Sequence, residues 1–174
     1  MHANERRYDL YRQQAECFAK NTIRLGNQNL NTREPMNPKK LVIAFVAAFV
    51  FIFLYEFLLH GKLLQGAYSE VSGLWRGEND FNQHFHLLVL GQAIMAFFLT
   101  MIYARGFAGG GVVGGARLGI LLGLLFVGLN LIRFAVEPLT RKIFLAWCIG
   151  DLLEFAIAGA IIGAIYKPTS TATV

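Results

Sequence analysis

Hydrophobic residues occupy four long runs in this chain, separated by shorter polar segments. The runs are Leu41–His60, Phe85–Ala104, Val112–Val136 and Ile143–Tyr166. A helix of about 20 apolar residues, rising about 1.5 Å per residue, spans a hydrocarbon layer of about 30 Å. The pattern therefore predicts an all-α integral membrane protein whose fold is a four-helix transmembrane bundle.

The composition supports this prediction and narrows the partners. Of the 174 residues, 55% are hydrophobic and 16% are charged, and the mean hydropathy is +0.47. The net charge is +5, but half of the 16 Lys and Arg residues precede residue 41, so we attribute the excess to membrane topology and expect no nucleic-acid partner. The two cysteines, Cys17 and Cys148, exclude a disulfide framework and a Cys-x-x-Cys motif.

Lys and Arg residues near the ends of the runs are divided unevenly between the two sides of the membrane. Eleven belong to the side that holds both termini and five to the opposite side. Cytoplasmic segments carry an excess of Lys and Arg. We therefore expect both termini in the cytoplasm and the protein in the bacterial inner membrane.

Three segments follow from the runs: a polar cytoplasmic segment (1–38), the transmembrane domain (39–167) and a short C-terminal tail (168–174). In the polar segment, moderately apolar residues recur every three or four positions: Tyr8, Tyr11, Ala15, Phe18, Thr22 and Leu25. This stripe predicts a basic amphipathic helix on the inner leaflet, and a partly unstructured tail is the alternative. Met36 is an alternative start, which would remove most of this segment.

Small residues on the third and fourth helices predict close helix packing. The third helix has glycines at intervals of four, and the fourth has alanines at the same interval beside two glycines: Gly111, Gly115, Gly119 and Gly123; Ala156, Ala160 and Ala164; Gly159 and Gly163. Such residues let two backbones approach closely in lipid. The short connection containing Pro138 makes the two helices antiparallel neighbours. Whether the small residues face each other or a second copy stays open at this point.

Polar residues within the runs lie toward the side opposite the termini: Glu56, His60, Asn130, Arg133, Asp151 and Glu154. A charge at mid-bilayer costs about 2.5–3.5 kcal/mol, so these groups should face protein or water. We expect Glu56 and Glu154 to approach one another across the first and fourth helices, within reach of Arg133. Two interpretations remain: a structural ion-pair network, or a polar cavity that binds a proton or a small solute.

A divalent metal is the alternative ligand for this set of residues. The carboxylates and imidazoles that qualify as ligands are Glu56, His60, His84, His86, Asp151 and Glu154. Their spacing matches neither His-Glu-x-x-His nor the Glu-x-x-His of di-iron bundles. Apart from this alternative, the sequence predicts no cofactor.

The heptapeptide Tyr55–Gly61, followed by Leu64, Tyr68 and the triplet Leu74–Arg76, resembles the start of small bacterial inner-membrane proteins of unknown function with four predicted spans. The resemblance extends from about residue 36 to residue 166. It implies the same four-span fold. Because that family has no established activity, it implies no catalytic residue.

Three classes of function are compatible with these features. A non-enzymatic accessory or assembly subunit of a membrane complex is favoured by the small size, the packing glycines and the lack of a catalytic signature. The alternatives are a small-solute or proton-coupled transporter or channel that acts as an oligomer, and a metal-dependent membrane enzyme. In each case the expected partners are the lipid bilayer and a second copy or another membrane protein.

Overall fold

The computed structural model describes Glu16, Lys20 and residues 36–167. The chain divides into two units, Met1–Pro35 and Met36–Val174. In the first unit Glu16 and Lys20 are helical, and the predicted amphipathic stripe lies outside the described residues, as does the predicted C-terminal tail. Residues 36–167 of the second unit are helical with short connections and contain no strand.

Within residues 36–167 the structure has five α-helices: α1 (Pro38–Leu58), α2 (Gln65–Ser69), α3 (Glu78–Gly106), α4 (Gly111–Val136) and α5 (Arg141–Ile165). All except α2 are long and apolar enough to cross a membrane. Many of their apolar side chains face outward, where lipid takes the place that water has around a soluble protein. The prediction of an all-helical protein with four membrane-spanning helices is confirmed.

Two helix ends differ from the limits of the hydrophobic runs. α1 continues as a π-helical turn over Leu59–Leu63, and α3 begins at Glu78, before the run that starts at Phe85. Glu78 and Asp80 lie in the first turn of α3, where carboxylates interact favourably with the helix dipole. Hydropathy marks the part of a helix that lipid covers, so it misses a polar first turn.

Side-chain capping fixes the starts of α1 and α5. The Asn37 side chain accepts a hydrogen bond from the Lys40 amide at 3.1 Å, and Thr140 caps α5 in the same way. The Asn37 amide in turn donates to the Tyr166 hydroxyl at 3.2 Å. This bond joins the start of α1 to the end of α5, which places the two helices side by side and antiparallel.

Aromatic and small residues fill the core between α1 and α3. Phe45 packs edge-on against Phe97, with ring centroids 6.0 Å apart, and Phe53 packs against Phe85 in the same manner. Ala44 on α1 is fully buried within the same core cluster. These contacts give α1 a second neighbour besides α5.

Glycines bring α4 and α5 into backbone contact. A Cβ atom added at Gly115 would lie 1.9 Å from the Gly159 carbonyl oxygen, and one at Gly119 equally close to that of Phe155. On the α5 side, a Cβ at Gly163 would lie 2.2 Å from the Gly111 carbonyl oxygen. The glycines of the two helices therefore face each other within one chain, and only residues without a side chain permit this distance.

The connection from α1 to α3 packs on the start of α5. Leu64 and Ala67 are buried there with Leu139, Ile143 and Trp147, in an apolar cluster separate from the main core. This cluster positions the loop residues beside the polar end of α1.

Candidate functional site

Three carboxylates from α1 and α5 meet inside the bundle. One oxygen of each of Glu56, Asp151 and Glu154 lies within 4.8 Å of the other two. Asp151 and Glu154 are three residues apart, so the helical period directs both toward one side of α5. The structure thus confirms that Glu56 and Glu154 approach each other, and we call these three residues the carboxylate triad.

Glu154 is the most deeply buried member of the triad. Its relative exposure is 2%, and its Oε1 atom has no hydrogen-bond partner among the described residues. At about 1.5 Å per residue it lies about 20 Å along α5 from Arg141, close to the middle of that helix. An ionised carboxylate without a donor at such depth costs several kcal/mol. The site therefore favours a positive charge or a proton beside Glu154.

A third helix contributes Asn130. Its side-chain amide donates a hydrogen bond to Asp151 Oδ2 at 2.6 Å, and the residue is buried on α4. This bond holds one oxygen of Asp151 and leaves the other for a further partner. Asn130 thus belongs to the site, as the sequence predicts.

Tyr55 and Gly150 fix the distance between α1 and α5 beside the triad. The Tyr55 hydroxyl donates to the Gly150 carbonyl oxygen at 3.0 Å. A Cβ at Gly150 would lie 2.6 Å from Leu59 Cδ2, so the Leu59 side chain would have to shift to admit one. Sequence analysis missed both residues, although each is the immediate neighbour of a triad residue, Glu56 or Asp151.

His60 extends the polar site from the triad toward the α1–α3 connection. Its Nε2 atom lies 3.4 Å from Glu56 Oε2, and its Nδ1 atom is hydrogen-bonded to the Tyr68 hydroxyl. The same hydroxyl accepts a hydrogen bond from Trp147 Nε1 at 2.7 Å. A connected chain of polar groups therefore leads from α5, through the loop, to the imidazole.

Tyr68 acts in this chain as a neutral phenol. Burial raises its pKa to about 12, so the hydroxyl stays protonated at neutral pH. Its ring packs against that of Trp75, at 4.9 Å between centroids, and Trp75 packs in turn against Trp147. The Tyr68 ring thus packs within an aromatic cluster with Trp75 and Trp147.

Arg133 lies near the end of α4 and forms an ion pair with Glu137. Its guanidinium donates two hydrogen bonds of 3.0 Å to the Glu137 carboxylate, and it lies over the Trp147 ring, 4.5 Å from the centroid. Both members of this ion pair are outward-facing, and the pairing holds the pKa of Glu137 below its ordinary value. Among the described residues the ion pair of Arg133 is therefore with Glu137, one helical turn away, and Arg133 forms none with a triad carboxylate.

The other two histidines lie away from the triad. His84 contacts Asp80 within the first turns of α3, at 3.2 Å between Nδ1 and Oδ1, and His86 is exposed on the same helix. Of the six ligand candidates, the structure groups Glu56, Asp151 and Glu154 and places His60 against Glu56. Neither His84 nor His86 belongs to that group.

Comparisons of this chain with protein-family models, with curated proteins and with solved structures found no match. The site must accordingly be interpreted from its own chemistry.

Proposed function

We propose that this protein binds a cation at the carboxylate triad and moves it across the membrane, as an oligomeric transporter or channel. The observation that carries the proposal is the buried Glu154 carboxyl, whose Oε1 atom lacks a partner among the described residues while two more carboxylates lie beside it. A proton is the simplest such cation. Ionisable groups at this depth in a membrane protein are typical of ion and proton pathways.

The distribution of charge around the triad supports a cation-binding site rather than a structural ion-pair network. A structural network would pair each carboxylate with a basic group, because an unpaired buried charge is strongly destabilising. Arg133, the nearest candidate, forms its ion pair with Glu137. Asp151 has a neutral amide donor, and Glu56 has an imidazole that is charged only when protonated.

The position of the triad also supports transport. Glu154 lies near the middle of α5, and transporters place their ion sites near the bilayer midplane between helices. One chain contributes four spans, so we propose that copies of the protein associate to complete the route. The distribution of Lys and Arg supports a bacterial inner-membrane location with both termini in the cytoplasm.

Flux measurements in liposomes test the proposal. Protein reconstituted into vesicles would be exposed in turn to gradients of protons, Na⁺, K⁺, Mg²⁺, Mn²⁺ and Zn²⁺, each followed by an enclosed dye selective for that ion. We expect flux of at least one cation above that of protein-free vesicles. Glu154→Gln should reduce this flux at least ten-fold, because it removes the charge and keeps the shape.

Glu137→Gln is the matched control, since it removes an outward-facing carboxylate at the end of α4, outside the triad, and should leave the flux unchanged. Wild-type vesicles that leak no more than empty ones would contradict the proposal. Equal flux through the wild type and Glu154→Gln would contradict it as well.

A non-enzymatic accessory subunit is the second candidate. It is favoured by α4, whose glycines contact α5 while leucine and isoleucine side chains on its other sides face outward, among them Leu121, Leu125 and Ile132. Such a surface suits lipid or another membrane protein. Purification of a defined hetero-complex from native membrane, together with absence of flux, would favour this function over transport.

A further inference from the structure

We infer that the cation bound at the triad is a divalent transition-metal ion, held by Glu56, Asp151 and Glu154 together with Nε2 of His60. This inference rests on the proposed cation-binding function and names the ion class. Three observations support it: the convergence of the carboxylate donors, the Glu154 oxygen that has no partner among the described residues, and the orientation of the His60 imidazole.

The first step is the number and charge of the oxygen donors. The triad brings one oxygen from each of three carboxylates within 4.8 Å of one another, and Glu154 Oε1 has no hydrogen-bond donor in the part of the chain that the structure describes. A divalent ion offsets more of this negative charge than one proton or one monovalent ion. Because Asn130 occupies only one oxygen of Asp151, the other oxygen is left to bind such an ion.

The second step is the presentation of His60. A histidine that binds a metal through one ring nitrogen almost always has its other nitrogen bonded to a second group, which fixes the ring. In this protein the Tyr68 hydroxyl bonds Nδ1, and Nε2 lies on the side of Glu56, 3.4 Å from its Oε2. In the tautomer whose Nδ1–H donates to the Tyr68 oxygen, the imidazole presents an unprotonated Nε2 atom to Glu56, one member of the triad.

The third step is the anchoring of the Tyr68 hydroxyl, which bonds the imidazole. Tyr68 accepts a hydrogen bond from Trp147 Nε1, and Trp147 is on α5, the same helix as Asp151 and Glu154. The chain that orients His60 on the α1 side is therefore fixed to the helix that carries two of the three carboxylates. This is the arrangement expected of an outer layer of ligand support.

The fourth step is the choice of metal class. Sites made only of carboxylate and carbonyl oxygens suit Mg²⁺ and Ca²⁺, whereas an imidazole nitrogen added to carboxylates suits Mn²⁺, Fe²⁺ or Zn²⁺. His60 therefore shifts the preference of the triad from hard cations to transition metals.

Metal titration of the purified full-length protein tests the inference. Chelator-treated protein in mild detergent would be titrated calorimetrically with Zn²⁺, Mn²⁺ and Mg²⁺. We expect one Zn²⁺ or Mn²⁺ per chain, and Mg²⁺ at least ten-fold weaker. His60→Gln should weaken transition-metal binding at least ten-fold, and Glu154→Gln should abolish it.

His84→Gln is the matched control, because it removes an imidazole that lies on α3 and is bonded to Asp80, and its affinity should equal that of the wild type. Tyr68→Phe should weaken binding by about ten-fold or more, as loss of an outer-layer partner does. If His60→Gln does not fold, electron-spin-echo spectra of Mn²⁺ in the wild type give the answer, since coupling to an imidazole nitrogen is expected.

Absence of stoichiometric metal, equal affinity in His60→Gln, or wild-type spectra without nitrogen coupling would overturn the inference. The liposome assay separates this failure from that of the proposed function. If proton or monovalent-ion flux depends on Glu154 but no metal binds, the inference of a transition metal is overturned and the proposed cation transport stands. Neither flux nor metal binding overturns both.

Discussion

α5 has two contact faces of opposite character. Toward α4 it presents Gly159 and Gly163, where the two backbones touch. Toward α1 it presents Gly150, which allows close approach, and Glu154, a buried carboxyl with an unpartnered oxygen. The same helix thus contacts α4 through close backbone packing at glycines, and contacts α1 through a buried carboxyl whose Oε1 atom has no hydrogen-bond partner among the described residues.

The difference separates stability from function. Close backbone packing stabilises helix association in lipid, where apolar burial contributes little. A buried unpaired charge does the reverse. We conclude that the α4–α5 contact holds the bundle together, whereas the α1–α5 contact carries the groups of the proposed cation site.

The largest effect is expected at the α4–α5 face. Gly119→Ala would force a Cβ to within 1.9 Å of the Phe155 carbonyl oxygen, so the helices must separate. We expect the free energy of unfolding in detergent to fall by about 3 kcal/mol, as for severe overpacking. Gly128→Ala on the same helix meets nothing within 4 Å and should change it by less than about 1 kcal/mol. Equal stability of the two variants would refute the role of this contact.

The effect at the α1–α5 face should have the opposite sign. Glu154→Gln removes the charge from a buried carboxyl and keeps its volume. At a pH high enough to ionise Glu154 in the wild type, we expect metal-free protein to gain about 1–2 kcal/mol in unfolding free energy, because the penalty of a buried charged group is relieved. Calorimetry or denaturant unfolding in detergent measures this change. A loss of stability would mean that Glu154 has a stabilising partner, contrary to the account.

A smaller change is expected in the chain that orients His60. Tyr68→Phe removes the hydroxyl that bonds His60 and leaves the Trp147 N–H without its acceptor. We expect a loss of about 1 kcal/mol in unfolding free energy, the typical value for one such bond. In the Tyr68→Phe background this hydrogen bond is already absent, so Trp147→Phe should lower the unfolding free energy less there than in the wild type. If Trp147→Phe lowers the unfolding free energy equally in both backgrounds, Trp147 contributes through packing and not through this bond.

The smallest effect concerns the ion pair between Arg133 and Glu137. The pairing lowers the pKa of Glu137 in the folded protein from its ordinary value of 4.5, so its stabilisation is present above that pH and is lost as the pH falls through the folded pKa. Glu137→Gln should therefore lower the melting temperature slightly at pH 7 and have no effect well below the folded pKa. A larger deficit at acid pH than at neutral pH would contradict this sign.

The fold is predictable from the sequence because lipid imposes a simple rule. A helix that crosses a bilayer must be apolar over most of its length, so four runs give four spans, and the glycine spacing of α4 indicates its packing face. The position of Glu56 against Glu154 is predictable for a related reason, since charged groups within spans must turn toward protein.

The rest of the site depends on geometry that periodicity does not encode. Tyr68 reaches His60 because α1 ends in a π-helical turn and the chain then folds back onto α5. The partner of Arg133 was visible in the sequence as a carboxylate four residues later, a spacing that favours local pairing on a helix.

A double-mutant cycle between Glu56 and Glu154 tests the central claim most directly. Unfolding free energies of metal-free protein would be measured in detergent for the wild type, Glu56→Gln, Glu154→Gln and the double variant. If the two carboxylates share one site, either substitution relieves the same repulsion, and the coupling energy should be about 1 kcal/mol or more. Additive effects, with a coupling energy near zero, would show that the two groups do not act as one site.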